Sequence, residues 1–244
     1  MIYNIAGMRV KIENCSGRTL RQAKPYLADD QSETHDIDIV INVDEKRVAE
    51  AVREHPELSA PDWDYMISGN DFYVGLLHHG GILLHSSCVV VDGVAYAFSA
   101  DSGVGKSTHT KLWLKKFGDR AYILNDDKPA IRLIDGKLYA CGTPWSGKED
   151  LSVPKIVPLG AICFVERSSE NRVEKAQVSE AVYKIMSQTL RKLGAKNMDN
   201  LLNVIEQICE KVPLYNLYCN ISDEAADVSY NAIKRSDLEA PDET

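Results

Sequence analysis

Ala100 to Thr108 reads ADSGVGKST. It fits a phosphate-binding pattern in which Ala or Gly is followed by four residues of any kind and then Gly-Lys-Ser. Gly103 and Gly105 let the backbone bend around an anion, so that successive N–H groups and a following helix N-terminus point at it. Lys106 adds a point charge for the β and γ phosphates, and Ser107 offers a hydroxyl to a magnesium ion bridging them. Ser102, Val104 and Thr108 complete the nucleotide-binding candidates. The next acidic group is the pair Asp126 and Asp127 at the end of YILNDD. One carboxylate can hold magnesium while its neighbour faces an incoming hydroxyl; the alternative is an Asp-rich surface turn. Adjacent strand residues point to opposite faces, so either the two have different jobs or the strand ends between them.

The elements around these residues are those that the chemistry needs. Val94 to Phe98 reads as a buried strand, and Thr110, Trp113, Leu114 and Phe117 mark one face of a helix that stops at Gly118. A helix of about ten residues runs roughly 15 Å away from the loop. A parallel strand, Tyr122 onward, then returns with its C-terminal end beside the loop, where ligands bind in such sheets. Upstream, Asp92-Gly93 is a tight hairpin turn between two apolar strands, which places His85 one strand from the loop. Taken alone, an imidazole between Leu84 and Cys88 reads as a hydrogen-bonded core residue.

Over Ile82 to Lys128 the chain resembles the catalytic domain of HPr kinase/phosphorylase and, more distantly, ATP-dependent phosphoenolpyruvate carboxykinase. Bacterial HPr kinases run approximately H-G-V-L-V-D, then G-D-S-G-V-G-K-S, then A-D-D-R. This chain runs His85-Ser86-Ser87-Cys88, then Ala100 to Ser107, then Asn125-Asp126-Asp127-Lys128, and its HSSC stands where the carboxykinases have H-C-S-A. The resemblance implies an α/β protein with a carboxykinase-like phosphate-loop core, a mixed sheet and a small N-terminal α/β lobe. It further implies Ser107 and Asp127 as magnesium ligands, Asp126 as the base that takes the acceptor's proton, and His85 beside the transferring phosphate. No E-I-R-G-x-G or P-G-R-N segment follows the aspartates, and the carboxykinase oxaloacetate arginines and G-D-D-E-H-G-W run are missing. What the resemblance implies is therefore a kinase core with a different acceptor site. ATP and magnesium would serve a serine-type hydroxyl, free or in a peptide or protein. The competing readings are a nucleotide-binding regulatory module, an NTPase without an acceptor, and an ATP-dependent carboxykinase.

Between two later strands lies GTPWSGKEDLSVPK, Gly142 to Lys155, long enough for a lid or acceptor site and equally readable as a surface connection. In the functional reading Lys148 reaches the transferred phosphate and Trp145 lines the pocket, with Lys128 and Arg132 as alternatives for the same charge role.

Composition bounds the rest. The chain has 244 residues, 44% of them hydrophobic, enough for one substantial core with a small appendage. A net charge of −8, with scattered Lys and Arg, offers no footprint for nucleic acid. Six cysteines without a C-x-x-C pair read as reduced thiols of a cytoplasmic protein. No signal-peptide pattern or membrane span is expected. Residues 1–60 read as the small lobe, 61–235 as the nucleotide-binding core and 236–244 as a disordered acidic tail. Strands are expected at Tyr3 to Glu13, Asp36 to Val43, Ala130 to Ile134, Lys137 to Cys141, Leu159 to Val165 and Leu214 to Cys219. Helices are expected around Val48 to Val52, at Asp71 to His79, at Met198 to Val212 and after a Ser222 cap, with PELSAPDW as a loop. His35, His55 and His109 read as surface residues, and His78 and His79 lack the spacing of a zinc site. Oligomeric state, homo-oligomer included, is left open.

Overall fold

The structure, a computed structural model, describes residues 1–32, 35–190, 193–235 and 237–238. The chain begins with β1 (Ile2–Ile5) and β2 (Met8–Glu13), an antiparallel pair joined through Ala6 and Gly7, both at positive φ. The single strand expected from Tyr3 to Glu13 is therefore a hairpin. Ala6-Gly7 carries no polar turn residue, so it reads as strand. After α1 (Gly17–Ala23), β3 (Ile39–Asn42) joins β2 in parallel, completing a three-stranded sheet. α2 (Glu45–Glu54) and α1 both pack on α3 (Ala60–Leu77), which itself lies on β3.

α3 corrects two expectations, the PELSAPDW loop and a helix starting at Asp71. Pro61 falls in the first turn, where an N–H has no intrahelical partner to lose, and Asp62 Oδ2 accepts from the Ser59 N–H at 3.2 Å. Proline here marks the start of a helix. α3 buries Tyr65, Phe72, Tyr73 and Leu76 in a core shared with β1 to β3 and with Ala130, Cys141 and Trp145, while Leu77 packs in the core of the large sheet.

Next come β4 (Gly81–Leu83), β5 (Ser86–Val91), β6 (Val94–Ser99), α4 (Lys106–Phe117), β7 (Ala121–Asn125), β8 (Ala130–Ile134) and β9 (Lys137–Cys141). They are followed by β10 (Ile156–Arg167), β11 (Arg172–Lys175), α5 (Val178–Ser187), α6 (Ala195–Lys211), β12 (Leu214–Cys219) and α7 (Glu224–Ile233). The strands form one mixed, nine-stranded sheet in the order β4-β8-β9-β10-β6-β5-β7, with β12 also on β10 and β11 outside β12. β10 joins its two halves: Ile156 to Pro158 pair antiparallel with β9, and from Leu159 onward the strand pairs in parallel with β6 and, from Ile162, with β12. The protein is thus α/β with a mixed sheet.

β5 and β6 are buried along their whole length because both faces are covered. Cys88, Val90, Ala95 and Ala97 face a core with α5 and α6, while Val89, Val91, Val94, Tyr96 and Phe98 face one with α4 and α7. Asp92-Gly93 and Asp135-Gly136 turn their hairpins with both residues at positive φ, as the sequence pattern predicts. α7 starts at Glu224 with Asp223 at the capping position, one residue beyond the expected Ser222. The tail from Ser236 lies outside the described residues except for Asp237 and Leu238. No helix among the described residues is long and apolar enough to cross a membrane.

His109, expected at the surface, is 2% exposed on the inner face of α4. Its Nε2 lies 3.0 Å from Ser229 Oγ, which donates to Ala225 O and accepts from Trp113 Nε1, so the imidazole donates there. Burial pushes its pKa down to about 4, so the folded protein keeps it neutral. The folded-state value is depressed, so the unfolded chain takes up the proton first as pH falls. Stability held above about pH 6.5 is lost toward pH 4, to a limit of about 3 kcal/mol. Urea unfolding of wild type and His109→Gln at pH 7 and pH 5 tests this. The wild type should lose distinctly more stability between the two pH values, and equal losses would show that the ring titrates freely.

Candidate functional site

Three strand ends meet at one edge of the large sheet. β6 ends at Ser99 and β5 begins at Ser86 directly opposite it, while Cys88 of β5 pairs with Asn125 at the end of β7. β5 runs antiparallel to both neighbours, so β6 and β7 are parallel to each other with β5 between them. The loop after β6, His85 before β5 and the aspartates after β7 therefore open on the same side. Ser102, Gly103, Gly105, Lys106, Ser107, Thr108, His85, Asp126, Asp127, Lys128 and Lys148 all line one open cleft of about 830 Å³. Val104 instead faces a second hollow of about 320 Å³ on the other side of the loop, bounded by Arg167, Asn220 and Ile221.

The loop takes its shape from two glycines at positive φ, Gly103 at 81° and Gly105 at 133°, where a Cβ would be strained. α4 starts at Lys106, so its first N–H groups open toward the cleft. Lys106 is 7% exposed and its Nζ donates to Ala100 O at 2.8 Å. Burial lowers its pKa, and the nearby Asp127 and Asp101 carboxylates pull it back up. Arg167 fastens the far side of the loop, its Nε donating to Val104 O at 2.9 Å and its Nη2 to Gly103 O at 2.5 Å.

The aspartates resolve the question of faces because the strand ends at Asn125, before either of them. Asn125 is fully buried, and its Oδ1 accepts from the backbone N–H groups of Asp127, at 3.0 Å, and Lys128, at 2.7 Å. That turn brings both carboxylates to the cleft. Their surroundings then push them apart. Asp126, 9% exposed, accepts from the Gly147 N–H at 2.6 Å, and its pKa is raised, burial outweighing that bond. For Asp127 burial also acts upward, but the hydrogen bond with His85 and the Lys128 charge outweigh it and hold the carboxyl well below its usual range. Asp127 Oδ1 lies 3.1 Å from His85 Nε2, and Oδ2 lies 2.5 Å from Lys128 Nζ.

The 142–155 segment is pinned against the N-terminal elements. Arg18, stacked over Tyr65 at 4.1 Å, donates through Nη2 to Gly147 O at 2.8 Å and to Asp150 Oδ1 at 2.7 Å. Tyr65 Oη accepts from the Ser146 N–H at 2.7 Å. A Cβ on Gly147 would meet Asp126 Oδ2 at 3.0 Å, so any larger residue would press that carboxylate aside by a few tenths of an ångström. Lys148 is exposed at the rim of the cleft. Trp145 does not line it: the ring is 1% exposed, stacks on Phe72 with centroids 4.8 Å apart, and donates to Ser68 Oγ. Arg132 is also elsewhere, its guanidinium on Ala6 O and His79 O. Sequence reasoning missed Asn125, Arg18 and Tyr65. Only Asn125 carries a local signal, as an Asx residue directly after an apolar strand.

No protein-family model matches the chain, and no curated protein matches it. Among solved structures it is similar to the HPr(Ser) kinase/phosphatase from Coxiella burnetii, with 9% sequence identity and a TM-score of 0.34, over 62% of this chain and 95% of that one. The functional reading therefore rests on the geometry of the cleft.

Proposed function

We propose that this chain is a magnesium-dependent kinase that transfers the γ-phosphoryl group of ATP to a hydroxyl group, of the serine type, in a small molecule or a peptide. The observation that carries the reading is the pair of adjacent carboxylates in one cleft with a glycine loop, Asp126 buried against the Gly147 N–H with its pKa raised and Asp127 paired with His85 and Lys128 with its pKa lowered. Divergent pKa values in a carboxylate pair are how acid–base roles are divided. Asp126 has the raised affinity for a proton that a base requires; it takes the acceptor's proton as the acceptor oxygen bonds to the γ phosphorus and the bond to the β-phosphate oxygen breaks. Asp127 stays ionised. Its carboxylate and the Ser107 hydroxyl are hard oxygen donors in the same cleft and suit magnesium, and each Asp127 oxygen keeps a lone pair free of its His85 and Lys128 contacts. That ion would supply charge neutralisation on the phosphates. Loop N–H groups and Lys106 would hold the β and γ phosphates, and the nucleoside would lie toward the second hollow beside Arg167 and Ile221.

The test is transfer of labelled γ-phosphate to a panel of amino acids, small alcohols and peptides in the presence of magnesium. Labelled product with one acceptor class is expected; binding without transfer or hydrolysis would leave a nucleotide-binding module. Lys148 gives a finer test. If its ammonium reaches the phosphoryl group only during transfer, Lys148→Ala lowers the single-turnover rate about ten- to hundredfold at unchanged ATP affinity. A rate within about twofold of wild type would make it a solvated surface lysine.

A further inference from the structure

His85 is held by a residue far along the chain. α5 stops at Ser187, and Gln188 occupies its C-terminal capping position. The Gln188 backbone oxygen accepts from the His85 N–H at 2.7 Å. Its side-chain amide, on a residue 9% exposed, stands between two groups of the candidate site. Oε1 lies 2.7 Å from His85 Nδ1, and Nε2 donates to Asp101 Oδ1 at 2.7 Å. Asp101 belongs to the glycine loop, so one amide connects the histidine to the loop.

A carboxylate stands at each end of this chain of bonds, Asp101 and Asp127. A carboxylate only accepts, so the amide must present its NH2 to Asp101 and its oxygen to His85. An amide oxygen also only accepts, so Nδ1–H of His85 donates to it, and Nε2, which faces the Asp127 carboxylate, likewise donates there. Turning the ring over would set carbon atoms against both oxygens. Ser99 Oγ, donating to His85 O at 2.9 Å, fixes the backbone but not the ring. Among the described residues the Gln188 amide is the contact that orients the ring from the Nδ1 side.

We propose that Gln188 is the positioning residue of this site: it holds the His85 ring in one orientation with Nδ1–H toward itself, and through Asp101 it couples that orientation to the glycine loop. The effect on rate rests on the phosphoryl-transfer reading; the ring orientation is a property of the chain whether or not that reading holds.

The experiment uses the full chain labelled with ¹⁵N-histidine. Two-bond ¹H–¹⁵N correlation reads the His85 ring, with His85→Asn identifying its signals. In wild type the ring should show a protonated Nδ1 shielded from exchange with water. Gln188→Met keeps the side-chain length and removes both hydrogen bonds, so Nδ1–H exchange should speed up at least tenfold. Gln188→Glu combined with Asp101→Asn, which restores an acceptor for Nδ1 and gives the new carboxylate a donor in place of a like charge, should recover the ring signature. A structural role alone would lower the melting temperature and leave the ring spectrum unchanged, and that result overturns the proposal. If Gln188→Met fails to fold, Asp101→Ala on the exposed loop releases the far end of the amide. A wild-type ring spectrum in that variant would equally overturn it. Single-turnover transfer should fall about ten- to hundredfold in Gln188→Met at an ATP affinity within about threefold of wild type. A changed ring spectrum in a protein that transfers phosphate to nothing would uphold the positioning and sink the kinase reading alone.

Discussion

Asp126→Asn is expected to slow phosphoryl transfer by a factor of about 10² to 10⁴ while ATP affinity stays within about threefold. Asparagine has the shape of aspartate and can still accept from the Gly147 N–H, so the turn after Asn125 and the approach of the 142–155 segment survive. What is lost is the group that can take a proton. The raised pKa of Asp126 also gives the reaction a sign with pH. A protonated carboxyl cannot act as the base, so activity falls with acidification earlier than it would for an ordinary aspartate. The measurement is single-turnover transfer against pH at saturating ATP, with calorimetry for the nucleotide. If Asp126→Asn transfers within about threefold of wild type, Asp126 is not the base.

Lys106→Ala is expected to weaken magnesium-ATP binding by about 10² to 10³, since one side chain supplies charge-assisted bonds to phosphates in a partly desolvated site. In the structure its ammonium rests on the Ala100 carbonyl, a neutral acceptor that a phosphate oxygen outcompetes. Adenosine, with no phosphate, should bind both proteins alike. That comparison separates loss of the cradle from general damage to α4. Equal affinity of wild type and mutant for magnesium-ATP would remove the phosphate-loop reading altogether.

Much of the fold near the cleft was legible because its signals are local. The Asp92-Gly93 and Asp135-Gly136 turns, the apolar runs of β5 and β6 and the glycine loop before α4 each declare themselves within a few residues. The misreadings came where two local signals compete or where none exists. Pro61 stood for a loop until the Ser59 and Asp62 pair made it the first turn of α3. His109 looks like a surface residue beside the charged outer face of α4, and only the packing of α7 over it encloses the ring. Trp145 lies in a loop by sequence, yet its ring is claimed by Phe72 and Ser68 of α3, more than seventy residues earlier. Gln188 and Arg18 act across still longer separations, through one hydrogen-bonded amide and one guanidinium. Neither leaves a pattern in the chain.

The place of β5 in the sheet acts as a gauge. Hydrogen-bonded strands lie about 4.8 Å apart, so one intervening strand sets the ends of β6 and β7 roughly 10 Å from each other. On the proposed kinase reading, one strand would leave room for a phosphate on the loop side and an acceptor oxygen on the aspartate side, and His85 directly precedes the strand that makes this room. Because the spacing is written into backbone hydrogen bonds, a kinase built on it would be free to change acceptor through side chains at the rim of the cleft without altering the distance that a phosphoryl group would travel.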